Sequence, residues 1–131
     1  MGNKNKAKGT RAESAVVKYL KDHGIQAERR TLTGNKDQGD IKVIDASGNA
    51  WIIEVKTGKQ THNPSRSQLE EWMRQTREEA YNAGMHGILC VVRYNRKIVD
   101  ADVYIDHSFL QFGDEPIKEH MYLDQLAKQF V

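Results

Sequence analysis

The sequence predicts an α/β fold in which a mixed central sheet is flanked by helices. The predicted order of elements is α-β-β-β-α-β, with an extra C-terminal helix. Three observations lead to this order: two stretches with helical spacing of apolar residues, two apolar segments joined by a turn-forming stretch, and a β-branched run after the second helix. The length of 131 residues fits one domain, because a second independent core would leave both halves too small.

The first helix is predicted to begin near Thr10, because a threonine N-cap with Glu13 three residues later is a capping pattern. It is expected to end before Gly24. The preceding residues, 1–9, are rich in lysine and are predicted to form a mobile basic arm. The first strand is predicted over residues 25–32.

A hairpin is predicted next, after a polar loop over 33–39. Its strands are expected at 41–45 and 50–56, because a turn-forming Ala-Ser-Gly-Asn stretch separates the two apolar segments. If Asp45 faces Ala50 across this turn, the register of the whole hairpin follows.

The second helix is predicted after a loop over 58–64. Ser67 and Glu70 match a capping box at its start, and Gly84 closes it. The remaining elements are a buried strand over 87–94, a further strand over 103–105 and a last helix over 117–130.

The net charge of +2 hides a gradient along the chain. Residues 1–36 carry nine Lys and Arg against three acids, a balance of +6. Residues 100–131 carry two Lys against seven acids, a balance of −5. This polarity suggests one surface for a polyanion such as nucleic acid and one turned away from it, although lysines and arginines also merely solvate helices.

The sequence also predicts a cellular compartment. The longest apolar run, 88–92, is too short to cross a bilayer, and the lysine-rich start has no apolar stretch behind it and is not a secretory signal. A single cysteine, Cys90, cannot form an internal disulfide, which fits a reducing compartment. We therefore expect a soluble, cytoplasmic protein without a membrane partner.

Two acidic residues stand in apolar surroundings. Glu13 begins the apolar stripe of the first helix, and Glu54 lies inside the apolar run 51–55. An isolated buried carboxylate is costly, so Glu54 should be paired, bound to a metal or placed at a cleft. Because side chains alternate along a strand, Glu54 and Lys56 are predicted to point to the same face.

The hairpin is predicted to bring Asp40 to this pair. In the predicted register Asp40 lies opposite Val55, and Glu54 and Lys56 flank it diagonally. Two carboxylates and the Val55 carbonyl would form a hard oxygen site suited to Mg²⁺ or Mn²⁺. The structural alternative is an ion pair between Glu54 and Lys56 with a turn-capping Asp40, and the residues alone leave both open.

These residues resemble a known signature. Asp40, followed fourteen residues later by Glu54-Val55-Lys56, resembles the PD-(D/E)xK motif of the restriction-endonuclease-like nuclease superfamily. The predicted αβββαβ order is similar to the core of that superfamily. Gly39 stands where the signature has proline, a substitution that the superfamily tolerates.

A closer likeness is to the archaeal-type Holliday junction resolvases. The segment Lys8-Gly9-Thr10-Arg11-Ala12-Glu13 resembles their Lys-Gly-x-x-x-Glu opening. The strand over 88–94, after a helix that contains Gln68, continues the likeness. The resemblance spans about residues 8–97, and the acidic part beyond it matches no pattern.

The resemblance implies a role for each matching residue. The metal ligands would be Asp40, Glu54, the Val55 backbone carbonyl and Glu13. The catalytic group would comprise Glu13, Asp40, Glu54, Lys56 and Gln68, with Lys56 orienting a water or offsetting charge on the phosphate. The candidate phosphate contacts are Lys8, Arg11, Arg29, Arg30 and Lys36.

The activity implied is that of a Mg²⁺-dependent endodeoxyribonuclease that resolves four-way DNA junctions as a homodimer; Mn²⁺ is expected to substitute, and no nucleotide cofactor is expected. One nuclease domain would occupy 1–131, with a core over 10–97 and an acidic extension over 98–131 packed on it. Two alternatives stay open. The first is the same chemistry on other branched, nicked or single-stranded DNA, and the second is a non-catalytic DNA-binding protein that keeps the fold.

Overall fold

The computed structural model of the protein describes residues 3–30, 40–106 and 119–131. These residues form three α-helices, two short 3-10 helices and one six-stranded sheet. The helices are α1 (Asn3–Asp22), α2 (Arg66–Ala83) and α3 (Leu123–Phe130), and the 3-10 helices span Lys59–Thr61 and Ile98–Asp100. The strands are β1 (Gln26–Arg29), β2 (Asp40–Ile44), β3 (Ala50–Lys56), β4 (His86–Val91), β5 (Asp102–Asp106) and β6 (Glu119–Tyr122).

The strands lie in the sheet in the order in which they occur along the chain, from β1 to β6. Only the β3–β4 pair is parallel among the described strands, and α2 is the connection that makes it so, because parallel neighbours need a long crossover. The other neighbours pair antiparallel. The predicted α/β fold with a mixed sheet, flanking helices and a C-terminal helix is confirmed.

The two faces of the sheet carry different layers. The α1/α3 face holds the main core, in which Val16 and Leu20 of α1 and Leu126 of α3 are completely buried together with Ile53 and Ile88 of the sheet. We call the opposite side the α2 face. There a smaller cluster forms from four residues, Trp72, Met73, Leu89 and Val91.

The approach of α2 to the sheet is close at one point. A Cβ atom on Gly87 of β4 would lie 3.1 Å from the Cβ of Ala80 and 3.3 Å from the Thr76 carbonyl oxygen. These contacts are tighter than ordinary packing allows, so glycine lets the helix lie directly on the strand.

The N-terminal helix is longer than predicted. It begins at Asn3 rather than near Thr10, so most of the segment 1–9 is helical instead of an arm. Its lysines and alanine favour helix, and Gly9 inside it costs only about 1 kcal/mol relative to alanine. That cost is too small to end a helix.

The predicted register of the hairpin is wrong by one residue. Ala50 pairs with Ile44 rather than Asp45, and Asp40 pairs with Glu54 rather than Val55. The Asp45 N–H donates to the Asn49 carbonyl at 3.0 Å, so these two residues close a loop of three residues, not four. Three-residue hairpin loops end in a left-handed residue, which is Gly48 here at φ 87°.

The carboxylate of Asp45 holds this turn in place. It accepts hydrogen bonds from the Ser47 and Asn49 N–H groups and from Trp51 Nε1, each at 2.9 Å. Burial raises the pKa of Asp45, but these hydrogen bonds outweigh it and hold the pKa below its ordinary value. The turn is therefore fastened to β3 by a charged group.

The start of α2 also differs from prediction. The N-cap of α2 is Ser65, whose Oγ accepts from the Gln68 N–H at 3.1 Å, so the capping box at Ser67 is wrong. Ser65 and Gln68 have the same spacing as the pattern at Ser67 and lie two residues earlier. The C-cap at Gly84 is confirmed.

The last helix predicted over 117–130 is in part a strand. β6 pairs antiparallel with β5, and α3 begins only at Leu123. The strand forms because Met121 points into the main core while its neighbours His120 and Tyr122 are exposed, an alternation too short to detect in the sequence.

Some predictions fall on parts of the chain outside the described residues. These are the end of the first strand at 31–32, the loop over 33–39, and the start of the last helix at 117–118. The predicted division into a core over 10–97 and an extension over 98–131 stays a prediction. The described helices include none with the combined length and apolar character that a membrane crossing requires.

Candidate active site

Glu54 and Lys56 lie side by side on the α2 face. Lys56 Nζ is 3.4 Å from Glu54 Oε1, and Glu54 is buried while the Lys56 side chain is 21% exposed. The predicted common face is thus confirmed. β3 makes this arrangement, because Ile53 and Val55 enter the main core and turn the residues between and after them to the other side. The ion pair is compatible with a metal site and also with a purely structural pair.

Asp40 stands directly opposite Glu54 in the β2–β3 register. Paired residues of neighbouring strands share a face of the sheet, so the observed register is compatible with the predicted association of Asp40 and Glu54. The association itself stays a prediction.

The Val55 carbonyl lies on the β2 side of β3. The Lys56 carbonyl accepts from the Val92 N–H at 2.9 Å and so points toward β4. Successive carbonyls of a strand point to opposite sides, so that of Val55 points toward the strand that carries Asp40. The Val55 carbonyl oxygen and the Glu54 carboxylate therefore both belong to the C-terminal end of β3.

These oxygens suit a magnesium ion by their chemistry. Mg²⁺ prefers oxygen ligands and is commonly held by one or two carboxylates together with substrate phosphates. Within the described side chains there is no group of three or more His, Cys, Asp or Glu residues that could hold a metal. A site built from Glu54, Asp40 and the Val55 carbonyl fits the sparser arrangement that Mg²⁺ accepts.

Glu13, on α1, forms an ion pair with Arg29 of β1. Its Oε2 accepts from Arg29 Nε at 3.0 Å, and its side chain is 13% exposed. The helix that carries it packs its buried side on the α1/α3 face, opposite to Glu54. The ion pair joins α1 to β1, and a direct metal contact of Glu13 stays a prediction.

Gln68 lies in the first turn of α2. Its side chain is exposed, and its backbone N–H donates the capping hydrogen bond to Ser65 Oγ. The helix follows β3 and a 3-10 helix along the chain, and the catalytic role of Gln68 stays a prediction.

The predicted phosphate contacts are spread over the N-terminal part. Arg11 is exposed on α1, Arg29 is engaged by Glu13, and Arg30 is half-buried after β1. Lys8 belongs to α1, and Lys36 falls outside the described residues. Their contacts with DNA stay predictions.

Thr61 supports the end of β3 and was missed by the sequence reasoning. It is completely buried, and its hydroxyl lies 2.7 Å from the Gly58 carbonyl and 2.9 Å from the Val92 carbonyl, either of which can accept its proton. Because Val92 also bonds Lys56, this threonine fixes the connection beside the candidate site. A lone threonine in a polar loop gives no signal in the sequence.

A second polar group was also missed. Asp102 of β5 is buried; it accepts a hydrogen bond from Arg93 Nε, and its Oδ1 is 2.7 Å from His120 Nε2. The hydrogen bond that Arg93 donates to Asp102 raises the pKa of Arg93. Burial, and then the charge of Asp102, raise the pKa of Tyr104. The register lines up Lys56, Val91, Asp102 and Tyr122 in one row across the α2 face.

A carboxylate and a lysine two residues apart on the third strand of an αβββαβ core, opposite an aspartate on the second, define the PD-(D/E)xK nuclease superfamily. The comparison with family models agrees with this class, since residues 4–122 match the family described as "Phage putative PDDEXK endonuclease". The chain belongs to that family. No curated protein and no solved structure matches the chain.

Proposed function

We propose that this protein is a metal-dependent DNA endonuclease that hydrolyses phosphodiester bonds. One observation carries the proposal: in a chain of an endonuclease family, buried Glu54 stands beside Lys56 and opposite Asp40. A purely structural ion pair explains the contact between Glu54 and Lys56. It does not explain why a third charged residue is paired with Glu54 in the register.

The residues would share the chemistry as follows. Asp40, Glu54 and the Val55 carbonyl would hold Mg²⁺, with Mn²⁺ as a substitute. A bound divalent ion polarises the scissile phosphate and lowers the pKa of a water molecule. Lys56, held by Glu54 and only partly exposed, can orient that water or offset negative charge on the phosphate. Thr61 keeps the backbone of Lys56 in place through Val92.

The proposed substrate is branched DNA, with the four-way junction first among the forms to be tested. The support is the Lys8 to Glu13 segment and the basic balance of the first 36 residues. Resolution of a four-way junction needs two symmetric cuts, so this substrate also implies a two-fold homodimer.

The experiment compares cleavage of a labelled four-way junction, a linear duplex and a single strand, with Mg²⁺, with Mn²⁺ and with a chelator. Paired nicks in the junction that disappear in Asp40→Asn and in the chelator are expected. Asp22→Asn is the matched control, because Asp22 is an exposed partner of Lys18 on α1 and should leave cutting unchanged.

Each contrary result has a distinct meaning. Equal cutting of the three DNA forms would keep the nuclease and reject the junction preference. DNA binding without cutting in the presence of either metal would reject the enzyme and favour the non-catalytic DNA-binding protein.

A further inference from the structure

A groove opens on the α2 face of the sheet, around Asp102 and Tyr122. Its volume is about 770 Å³, and its lining includes His62, Arg93, Tyr94, Arg96, Asp102 and Tyr122. This is within the range of sites that enclose small organic ligands. None of these residues is assigned a role in the hydrolysis proposed above.

The groove lies on the same face of the sheet as the candidate active site, with the buried side chain of Val91 between Lys56 and Asp102. Asp102 and Tyr122 stand in the same row of the α2 face as Lys56. Two strand spacings separate β3 from β5, which amounts to about 10 Å. That distance corresponds to about three nucleotides at the 3.4 Å rise of a stacked strand.

Aromatic rings stand among the charged and polar side chains of this surface. His62 and Tyr94 form an edge-on pair with ring centroids 6.2 Å apart, and His120 and Tyr122 form another at 5.4 Å. Tyr122 is 48% exposed, although large aromatic side chains are usually covered. Its ring does not cap α3, because the Tyr122 N–H, not the hydroxyl, bonds Gln125 Oε1 at 2.9 Å. The ring contacts His120 on one side and stays half-exposed to solvent.

The charges of the groove are balanced. Arg93 and His120 engage the carboxylate of Asp102, and the lining contains one further acid, Asp100, and one further arginine, Arg96. A duplex backbone is bound by an excess of positive charge. A balanced surface rich in aromatic rings suits nucleobases instead, because bases stack on such rings without regard to sequence.

We infer that this groove binds unpaired nucleotides of the DNA strand that enters the candidate active site. Tyr122 and Tyr94 stack on bases, and Arg96 contacts a phosphate. The inference rests on the proposed nuclease function and narrows its substrate to DNA with a single-stranded portion, as in an opened junction, a flap or a free strand.

The first test measures binding of a fluorescent twelve-residue oligothymidine in a chelator, so that no cutting occurs. Tyr122→Ala should weaken binding about tenfold, because stacking on one aromatic ring contributes on that scale. Tyr122→Phe should bind as the wild type does, since the ring is kept. Affinity for a fully paired duplex should stay the same in both variants.

Tyr81→Ala is the matched control, because Tyr81 is 74% exposed at the far end of α2 and outside the groove. The inference would be overturned if Tyr81→Ala lost as much binding as Tyr122→Ala. It would also be overturned if Tyr122→Ala lost no binding. A wild-type protein that binds no single strand would overturn it as well. Circular dichroism of each variant verifies the fold.

A second test uses the salt dependence of the same binding. Log affinity falls as log salt rises. Removing one phosphate contact with a single strand makes this fall less steep, reducing the magnitude of the slope by about 0.7. Arg96→Ala should show this change, whereas Arg74→Ala should not, because Arg74 is paired with Glu71 and Glu78. An unchanged slope in Arg96→Ala would remove this residue's role.

The two proposals fail separately. A protein that binds single strands through Tyr122 but cuts nothing would reject the nuclease and keep the groove. A protein that cuts DNA and is indifferent to Tyr122→Ala would keep the nuclease and reject the groove.

Discussion

The two faces of the sheet differ in what their strands carry. On the α1/α3 face, Ile41, Ile53, Ile88, Val103 and their neighbours are completely buried under two helices. On the α2 face, one helix covers Leu89 and Val91 of β4, while the neighbouring strands β3 and β5 carry the charged residues Glu54, Lys56 and Asp102. Strand alternation thus lets one side supply the core and the other supply chemistry.

The difference has a physical cause in the number of helices on each side. Two helices, α1 and α3, lie on the first face and exclude water from its side chains. α2 alone leaves room beside it for the groove at Arg93 and Tyr122. The buried carboxylates Glu54 and Asp102 are tolerated there because each has a partner: Glu54 has Lys56, and Asp102 has Arg93 and His120.

The largest expected effect comes from the α2 face. Glu54→Gln should lower the cutting rate by about 10³-fold, because a proposed metal ligand is lost, while the fold is kept by a side chain of the same shape. The measurement is single-turnover cleavage with Mg²⁺. Glu28→Gln is the control, since Glu28 is an exposed glutamate on β1. An unchanged cutting rate in Glu54→Gln would contradict the assignment of the proposed chemistry to the α2 face.

An intermediate effect is expected from the α1/α3 face. Leu20→Ala should lower the free energy of unfolding by about 2–5 kcal/mol, because it leaves a cavity in the main core. Urea denaturation followed by circular dichroism measures this loss. Val99→Ala, at a site 37% exposed, should change it by less than about 0.5 kcal/mol.

The smallest effect concerns the turn that sets the register, and hence which residues reach which face. Asp45→Asn should cost about 1 kcal/mol at pH 7, because charge-assisted hydrogen bonds become neutral ones. The lowered pKa means that the charge of Asp45 stabilises the fold above its unfolded pKa of about 4. This stabilisation should disappear as the pH falls through the folded pKa.

Urea denaturation of the wild type and of Asp45→Asn between pH 7 and pH 2 measures how their difference in unfolding free energy depends on pH. A difference in unfolding free energy that stays constant down to pH 2 would show that the charge of Asp45 contributes nothing. Asp22→Asn is the control for the loss of an exposed carboxylate.

Local patterns predicted the elements that local chemistry determines. β3 was identified with its bounds, and α2 with its end at Gly84, because apolar spacing and a terminal glycine act over a few residues. The common face of Glu54 and Lys56 followed from strand alternation alone. The register failed because a turn of three residues and one of four look alike until the Asp45 contacts are seen.

What depends on distant pairing could not be predicted. Asp102 and His120 meet because β6 lies beside β5, and among residues 120–122, whose burial is described, Met121 alone is buried. Thr61 likewise gains its role from Val92, a residue of another element. The groove that carries the further inference was therefore invisible in the sequence.

The order of the strands has a consequence for how the chain folds. Each described strand pairs with its neighbour in sequence, so nearly all the pairings in the sheet are of low contact order. The exception is the parallel pair β3 and β4. To pair them, the chain must close the long segment between the two strands, which contains all of α2. We expect docking of β4 onto β3 to limit the folding rate, and the candidate active site, at the end of β3, to form late with it.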